Sequence, residues 1–178
     1  QRQMCIRDRG RMVPELALQD LAGKPVKLGA ENKVVVLACF GSSCPLSNKF
    51  APELARLEKE YAARKVAFVF VSPVAGEQAG EVRKFATAHG LTSPVAPAMS
   101  GELMSALQPK TTTEVFVVDA ARTLVYRGAV NDQYGLGYSK DAPTKNYLRE
   151  ALDAVLQGGA PTIAATTAPG CALDFPAA

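Results

Sequence analysis

The stretch KVVVLACFGSSCPLSNKF, residues 33–50, joins a strand pattern to a helix pattern. After the opening lysine it runs through apolar, β-branched side chains, which are typical of a buried strand. Gly-Ser-Ser at positions 41–43 then has the composition of a turn. Pro45 suits the first position of a helix, because the N–H that proline lacks has no partner there. We therefore predict that Cys44 lies at a strand–turn–helix junction, directly before the helix.

Cys44 is the strongest candidate for a reactive residue. Free backbone N–H groups and the positive end of the helix dipole stabilise a thiolate at a helix N-terminus. A thiol placed there has its pKa lowered from ~8.5 into the range of ~3.5–7.5. Cys39 lies inside the apolar run, where free cysteines behave as small buried hydrophobes. We interpret Cys44 as a nucleophile and Cys39 as a core residue.

Residues 1–10 are interpreted as an artefact, because Met-Cys-Ile-Arg-Asp at positions 4–8 is the translation of a common transposon-adapter end. Residues 1–11 carry four arginines and one aspartate; removing these from the 20 basic and 17 acidic side chains leaves 16 of each. The net charge of +3 therefore comes from this segment. Charge favours neither nucleic acid nor an anionic membrane as a partner. The true N-terminus is expected to be missing, and no apolar run reaches the ~18 residues of a membrane span.

The remaining chain fits one domain with a hydrophobic core, at residues 11–158, followed by a C-terminal tail, residues 159–178, that carries Cys171. The predicted elements are strand 24–28, strand 33–40, helix 45–64, strand 66–72, helix 78–89, short helix or turn 101–107, strand 114–118, strand 123–126 and helix 144–157. Strands that alternate with helices indicate parallel pairing through right-handed crossovers. The hairpin signal at 119–122 adds antiparallel pairing, so we predict an α/β fold with a mixed sheet.

The chain resembles the thioredoxin superfamily, in particular its redoxin or AhpC/TSA-like branch. Cys-Pro-Leu-Ser at 44–47 occupies the place of the redox Cys-x-x-Cys. Pro52 matches a helix-kinking proline that is frequent in these proteins, and it is informative because an interior proline costs about 3 kcal/mol. The segments 112–119 and 124–128 resemble the late hairpin of the fold. The resemblance covers roughly residues 13–158 and implies a central mixed sheet with helices on both faces.

A narrower resemblance points to a bacterial redoxin subgroup. It rests on Cys-Pro-Leu-Ser-Asn-Lys-Phe-Ala-Pro-Glu-Leu at 44–54, on Tyr-Arg-Gly-Ala-Val-Asn-Asp-Gln-Tyr at 126–134, and on Gly-Cys at 170–171. Many members of that subgroup are exported, and some are fused to haem or copper domains. The resemblance therefore implies an extracytoplasmic, periplasmic location, which the cysteine content favours only weakly.

Several positions depart from the family pattern. Ser47 replaces the second cysteine of Cys-x-x-Cys, so a disulfide cannot form within the motif. Thr113 stands where a cis-proline usually faces the nucleophile, and a trans bond is expected because a cis bond before threonine costs ~3 kcal/mol. Ala38 replaces a buried carboxylate of thioredoxins. Leu37 and Gly41 replace the proline and threonine of the peroxiredoxin motif, which weakens the case for peroxide binding.

The resemblance implies a thiol–disulfide oxidoreductase that exchanges with a protein thiol or disulfide, or with a small thiol. The Cys44 thiolate would form a mixed disulfide, and Cys171 is either the resolving thiol or a tail thiol that stays free or forms an intermolecular link. Ser43 belongs to the approach loop, and Thr113 is expected to form the opposite wall of the site. The thiolate is expected to be stabilised by the helix start, with Pro45 opening the helix, backbone N–H groups at Leu46 and Ser47, and the Ser47 hydroxyl on the sulfur.

Two alternatives remain. The first is an antioxidant AhpC/TSA-type thiol peroxidase, in which a hydroperoxide converts Cys44 to a sulfenic acid that Cys171 resolves. The second is a non-catalytic or copper-handling binding module, for which Cys39, Cys44 and His89, the only histidine, would be the ligand set. Neither an organic cofactor nor a metal is implied by the preferred reading. Charged side chains at strand ends, Glu114 and Arg127, are interpreted as solvated.

Overall fold

The computed structural model describes residues 10–27 and 32–173. Its elements are β1 (Val34–Cys39), α1 (Pro45–Ala62), β2 (Val66–Val71), α2 (Ala79–Ala88), β3 (Val95–Ala96), α3 (Gly101–Leu107), β4 (Val115–Asp119), β5 (Leu124–Gly128), β6 (Tyr134–Gly135), β7 (Tyr138–Ser139) and α4 (Tyr147–Leu156). The predicted order from the second strand onward is confirmed, and β3, β6 and β7 are additions. The strand predicted at 24–28 is wrong for its described part, which forms one isolated bridge between Gln19 and Pro25; Leu28 lies outside the described residues.

Five strands form the central sheet in the order β3-β2-β1-β4-β5. The strands β1, β2 and β3 pair in parallel, whereas β4 runs antiparallel to both β1 and β5. Val36 sits at the centre, opposite Phe68 on one side and Val117 on the other. The mixed sheet is therefore confirmed, with the β4–β5 hairpin supplying the antiparallel edge.

Side chains that alternate along the strands divide the core into two layers, one on each face of the sheet. One layer holds the buried faces of α1, α2 and α4 together with Val36, Phe70 and Val117. The other holds α3 and the segment around Val13, together with Leu37. Helices thus cover both faces, as the fold class requires. No helix in the described ranges is both long enough and apolar enough to cross a bilayer.

Helix boundaries follow local hydrogen bonding. Pro45 is the first residue of α1, and Pro52 lies inside the helix, which continues to Ala62. The helix predicted from residue 144 begins at Tyr147 instead. The reason is that the backbone N–H groups of Thr144 and Lys145 donate to the Asp132 carboxylate, which keeps them in the preceding loop.

The segment after α4 returns to the sheet. The Arg127 N–H donates to Ala164 over 3.1 Å, and the Thr166 N–H donates back to Arg127 over 3.0 Å, so this segment runs parallel to the outer edge of β5. The Thr166 hydroxyl accepts the Ala129 N–H at 2.8 Å. Gly128 permits this approach, because it has a φ of 138° and a Cβ at that position would collide with Thr166.

Candidate active site

Cys44 is the N-cap residue of α1. Its φ of −77° and ψ of 120° are extended, and its carbonyl accepts the Asn48 N–H at 3.1 Å, which starts the helix. The preceding turn closes with a 3.0 Å hydrogen bond from the Cys44 N–H to Gly41. Cys44 is only 3% exposed. The junction predicted from the sequence therefore positions a nearly covered sulfur at the start of the helix.

Three donors surround the Cys44 sulfur. The Thr112 hydroxyl lies at 3.0 Å, the Ser47 backbone N–H at 3.5 Å, and the Cys171 thiol at 3.5 Å. Burial raises the pKa of Cys44, but hydrogen bonds from Thr112, Ser47 and the backbone of Cys171 outweigh burial and lower it to about 7. A substantial fraction of Cys44 is therefore thiolate near neutral pH.

Cys171 is held against the same loop by main-chain hydrogen bonds. Its N–H donates to the Thr112 hydroxyl oxygen at 3.2 Å, and its carbonyl accepts the Thr112 N–H at 3.1 Å. The Leu173 N–H donates to Lys110 at 3.0 Å, so the tail runs antiparallel to residues 110–112. The structure thus brings together two cysteines that are separated by 127 positions.

The two thiols differ in exposure and in acidity. Cys171 is exposed, whereas Cys44 is covered. The hydrogen bond to Cys44 raises the pKa of Cys171, so the pair is a thiol that donates to a thiolate. Their sulfurs are 3.5 Å apart, and bond formation needs an approach of about 1.5 Å. The two sulfurs can therefore form a disulfide once they close this gap.

The other predicted site residues surround the first turn of α1. Ser43 and Pro45 are exposed and Leu46 is half-buried. Ser47 contributes its backbone N–H to the sulfur, but its hydroxyl donates to the Thr112 carbonyl at 3.0 Å and accepts the Gly41 N–H. The Ser47 hydroxyl, which was expected on the sulfur, therefore has its hydrogen bond to the Thr112 carbonyl, and the hydroxyl that lies 3.0 Å from the sulfur is that of Thr112.

Thr113 does not face the Cys44 sulfur, although the sequence predicts that it forms the opposite wall of the site. Its hydroxyl donates to the Pro169 carbonyl of the tail, and its side chain lines a small cavity behind the site together with Cys39 and Ser47. The wall facing the sulfur is formed by its neighbour Thr112. The peptide bond before Thr113 is trans, as expected.

Sequence reasoning missed Thr112 and Glu77. The Glu77 carboxylate accepts the Ser42 N–H at 2.7 Å and also binds the hydroxyls of Ser42 and Ser72, so it fixes the loop before Cys44. No local pattern in the sequence marks either residue. In the folded chain Gly41 leaves room for Thr112, because a Cβ at Gly41 would lie 3.2 Å from the Thr112 methyl carbon.

Beneath the site, Cys39 is buried on β1. Burial, followed by the charge of Glu114, raises the pKa of Cys39 well above its ordinary value, so it stays a thiol. Glu114 and Arg127 form a 2.8 Å ion pair with side chains 5% and 12% exposed. Their interpretation as solvated charges is therefore wrong.

The copper-type ligand set is not assembled. His89 lies at the C-cap of α2, where its Nε2 is 2.9 Å from the Asn48 side-chain oxygen and its ring packs on Phe85. Within residues 10–27 and 32–173, no group of three or more His, Cys, Asp or Glu side chains is placed to hold a metal ion.

Similar proteins were found among solved structures. A hypothetical protein from Sinorhizobium meliloti matches with a TM-score of 0.80 at 26% identity, over 96% of each chain. A thiol:disulfide interchange protein of the thioredoxin family from Chlorobium tepidum matches with a TM-score of 0.58 at 22% identity, over 67% of this chain and 85% of that one. A secreted disulfide oxidoreductase of Mycobacterium tuberculosis gives 0.53 at 18% identity, over 79% and 93%. These likenesses show the thioredoxin fold.

A comparison with curated proteins gave no match. The family model described as Redoxin matches residues 8–147, which include the helix-capping cysteine, the Thr112 loop and the β4–β5 hairpin. The resemblance drawn from the sequence is thereby confirmed at the level of the family. This chain belongs to the Redoxin family.

Proposed function

We propose that this protein is a thiol–disulfide oxidoreductase in which Cys44 is the nucleophile and Cys171 is the resolving thiol. The observation that carries this proposal is the 3.5 Å separation of a low-pKa sulfur from a second thiol. The separation is informative because residues 163–173 form hydrogen bonds with β5 and with the Thr112 loop on the way to the site. Membership of the Redoxin family supports redox chemistry at a cysteine.

The reaction proceeds by two exchanges. The Cys44 thiolate attacks one sulfur of a partner disulfide, which forms a mixed disulfide and expels the partner's other sulfur as a thiolate. Cys171 loses its proton to solvent and attacks the Cys44 sulfur, which releases the second partner thiolate and leaves a Cys44–Cys171 disulfide. Two electrons pass from the chain to the partner. Two thiol groups of an outside reductant then reduce the Cys44–Cys171 disulfide and are themselves joined as a disulfide.

Exposure favours Cys171 as the sulfur that the outside thiol attacks. Cys171 is exposed, whereas Cys44 is covered by the tail and by Thr112. Attack at Cys171 also makes Cys44 the leaving group, and the thiol of lower pKa leaves faster. The outside thiol that reduces the disulfide is therefore a protein thiol or a small thiol that approaches from the tail side.

The test is mass spectrometry of a non-reducing digest after mild oxidation with a disulfide, in a Cys5→Ser background so that Cys5 cannot pair. We expect a linked peptide that joins Cys44 to Cys171, and loss of thiol exchange in Cys44→Ser. Cys171→Ser should instead accumulate Cys44 as a mixed disulfide with the oxidant. Full exchange activity in Cys44→Ser would refute the assignment of the nucleophile.

A peroxidase is the second candidate, because the Thr112 hydroxyl stands 3.0 Å from the sulfur although the peroxiredoxin threonine is absent at Gly41. In that reaction the thiolate attacks a hydroperoxide, an alcohol leaves, and Cys171 then attacks the sulfenic acid with loss of water. The two candidate functions are distinguished by which oxidant closes the Cys44–Cys171 bond faster. Faster closure of the Cys44–Cys171 bond with hydrogen peroxide than with a disulfide at equal concentration would favour the peroxidase.

The proposed compartment is outside the cytoplasm. A Cys44–Cys171 disulfide persists in an oxidising environment, whereas cytosolic reductants keep thiols reduced. The similarity to a secreted disulfide oxidoreductase is consistent with this location. Fractionation of cells that express the complete gene should recover the protein outside the inner membrane; recovery with cytosolic markers would refute the location but not the chemistry.

A further inference from the structure

The Thr112 hydroxyl touches both ends of the reactive pair. It donates to the Cys44 sulfur at 3.0 Å and accepts the Cys171 N–H at 3.2 Å. A hydroxyl has one proton and two lone pairs, so a donor that occupies one lone pair restricts where the proton can point. The chain of hydrogen bonds therefore runs from the tail backbone, through Thr112, to the nucleophile.

The rest of Thr112 is held in place as well. Its carbonyl accepts the Ser47 hydroxyl at 3.0 Å, and its N–H donates to the Cys171 carbonyl at 3.1 Å. Its side chain is buried, with the methyl group against Gly41. Ser47 and Gly41 belong to α1 and the turn before it, whereas Cys171 belongs to the tail. The Thr112 hydroxyl is therefore oriented only when both the start of α1 and the tail are in place.

Hydrogen bonds in such a chain strengthen one another, and they do so most where water is excluded. The Cys171 N–H polarises the Thr112 oxygen, and the Thr112 O–H then interacts more strongly with a negative sulfur. The side-chain donors that lower the pKa of Cys44 are neutral groups, with Thr112 the strongest of them. Loss of the tail contact should therefore weaken the donor that matters most.

We propose that Thr112 is a catalytic residue that couples the docked tail to Cys44: the tail main chain orients its hydroxyl, and the hydroxyl holds the sulfur as a thiolate. This inference rests on the proposed role of Cys44 as nucleophile. It assigns to the tail a second role besides carrying Cys171. A chain with a docked tail has an activated nucleophile, and a chain with a lifted tail has a weaker one.

The test measures alkylation of Cys44 by iodoacetamide as a function of pH, in reduced protein and resolved by peptide mass spectrometry. In Thr112→Val we expect the midpoint to rise by about one unit, which lowers the rate at pH 7 about fivefold. Thr112→Ser keeps a hydroxyl and should restore the profile. Thr111→Val is the matched control, because the buried Thr111 hydroxyl has no hydrogen-bond partner among the described residues.

Coupling to the tail is tested with Thr166→Val, which removes the acceptor of the Ala129 N–H and loosens the tail at β5. It should raise the Cys44 midpoint in the parent chain and raise it by less in Thr112→Val, where only the direct contact of the Cys171 thiol with the Cys44 sulfur remains to be weakened. Equal shifts in Thr112→Val and Thr111→Val, or additive shifts in the double variant, would overturn the proposal. These measurements need no partner disulfide, so failure to form a Cys44–Cys171 bond would reject the proposed function and leave this inference standing.

Discussion

Cys44 combines two opposing influences on a single sulfur. Burial disfavours its charge, whereas oriented donors favour it, and the donors win by enough to bring the pKa of Cys44 to about 7. Cys39 has the same chemistry without such donors, and burial raises its pKa. The contrast indicates that the acidity of these two cysteines depends on the donors around each thiol as well as on its burial.

Cys39→Ala should leave thiol exchange within about twofold of the parent rate, because its thiol stays protonated and lies in the core layer with Leu37 and α3. The smaller side chain should lower the free energy of unfolding by about 1 kcal/mol, since a buried sulfur atom is removed. Exchange kinetics and urea unfolding measure the two effects. If the Cys39→Ala variant folds but no longer exchanges thiols, Cys39 and not Cys44 would be the reactive cysteine.

The position of Cys44 could be predicted because its determinants are local: a turn before it and Pro45 after it. The roles of Thr112 and Glu77 could not be predicted, because each lies far along the chain from the residue that it contacts. Thr112 is 68 residues from Cys44, and Glu77 is 35 residues from Ser42. Single polar residues in loops carry no periodic pattern, and only the folded sheet brings them to the nucleophile. The misplacement of Thr113 has the same origin, since Thr112 and Thr113 are neighbours in the turn before β4, and which of them faces Cys44 depends on the geometry of that turn.

Among the helices and strands, the longer segments were predictable and the two-residue strands β3, β6 and β7 were not. The runs that form β1, β2 and α1 bury continuous apolar faces, which leave a clear pattern. The strand β3 has two residues and exists because it pairs with Phe70 and Val71 of β2. Its formation depends on a neighbour that is distant in sequence, so no local pattern indicates it.

The Glu114–Arg127 pair links β4, β5 and the loop before β4. Arg127 also donates to the Gln108 carbonyl, and the Glu114 carboxylate accepts the Lys110 N–H at 2.7 Å. Arg127→Met should lower the free energy of unfolding by about 3–5 kcal/mol, because it leaves a buried carboxylate without its cation. Chemical denaturation measures this loss.

Arg56→Met provides the comparison, since Arg56 pairs with Glu53 at the surface and its side chain is 64% exposed. Its loss should change the free energy of unfolding by less than about 1 kcal/mol. Equal effects of the two substitutions would mean that the buried pair contributes no more than a surface one.

At the scale of the whole molecule, the proposed disulfide would close a loop of 127 positions. The chain-entropy model gives about 4–5 kcal/mol of added stability for a loop of this size. We expect oxidised protein to unfold at higher denaturant concentration than reduced protein, and Cys44→Ser to be insensitive to reductant. An oxidised form no more stable than the reduced one would indicate that closure strains the tail.

The docking of the tail was the least predictable feature of the whole molecule. Residues 159–173 are rich in Ala, Pro and Thr and show no amphipathic period. They dock through main-chain hydrogen bonds and through the Thr166 hydroxyl, which a hydrophobicity pattern does not reveal. Only the dipeptide Gly170-Cys171, which matches the C-terminal motif of the redoxin subgroup, indicated that this segment belongs to the site.

The tail segment at residues 164–166 also shields the outer edge of β5, and the opposite edge of the sheet is the two-residue β3. Unpaired strand edges are templates on which chains aggregate. A tail that lifts to admit a large partner uncovers the N–H and C=O groups of Arg127 and creates such a template. The Cys44–Cys171 bond would keep the tail over this edge. The reduced protein is therefore expected to aggregate more readily than the oxidised protein.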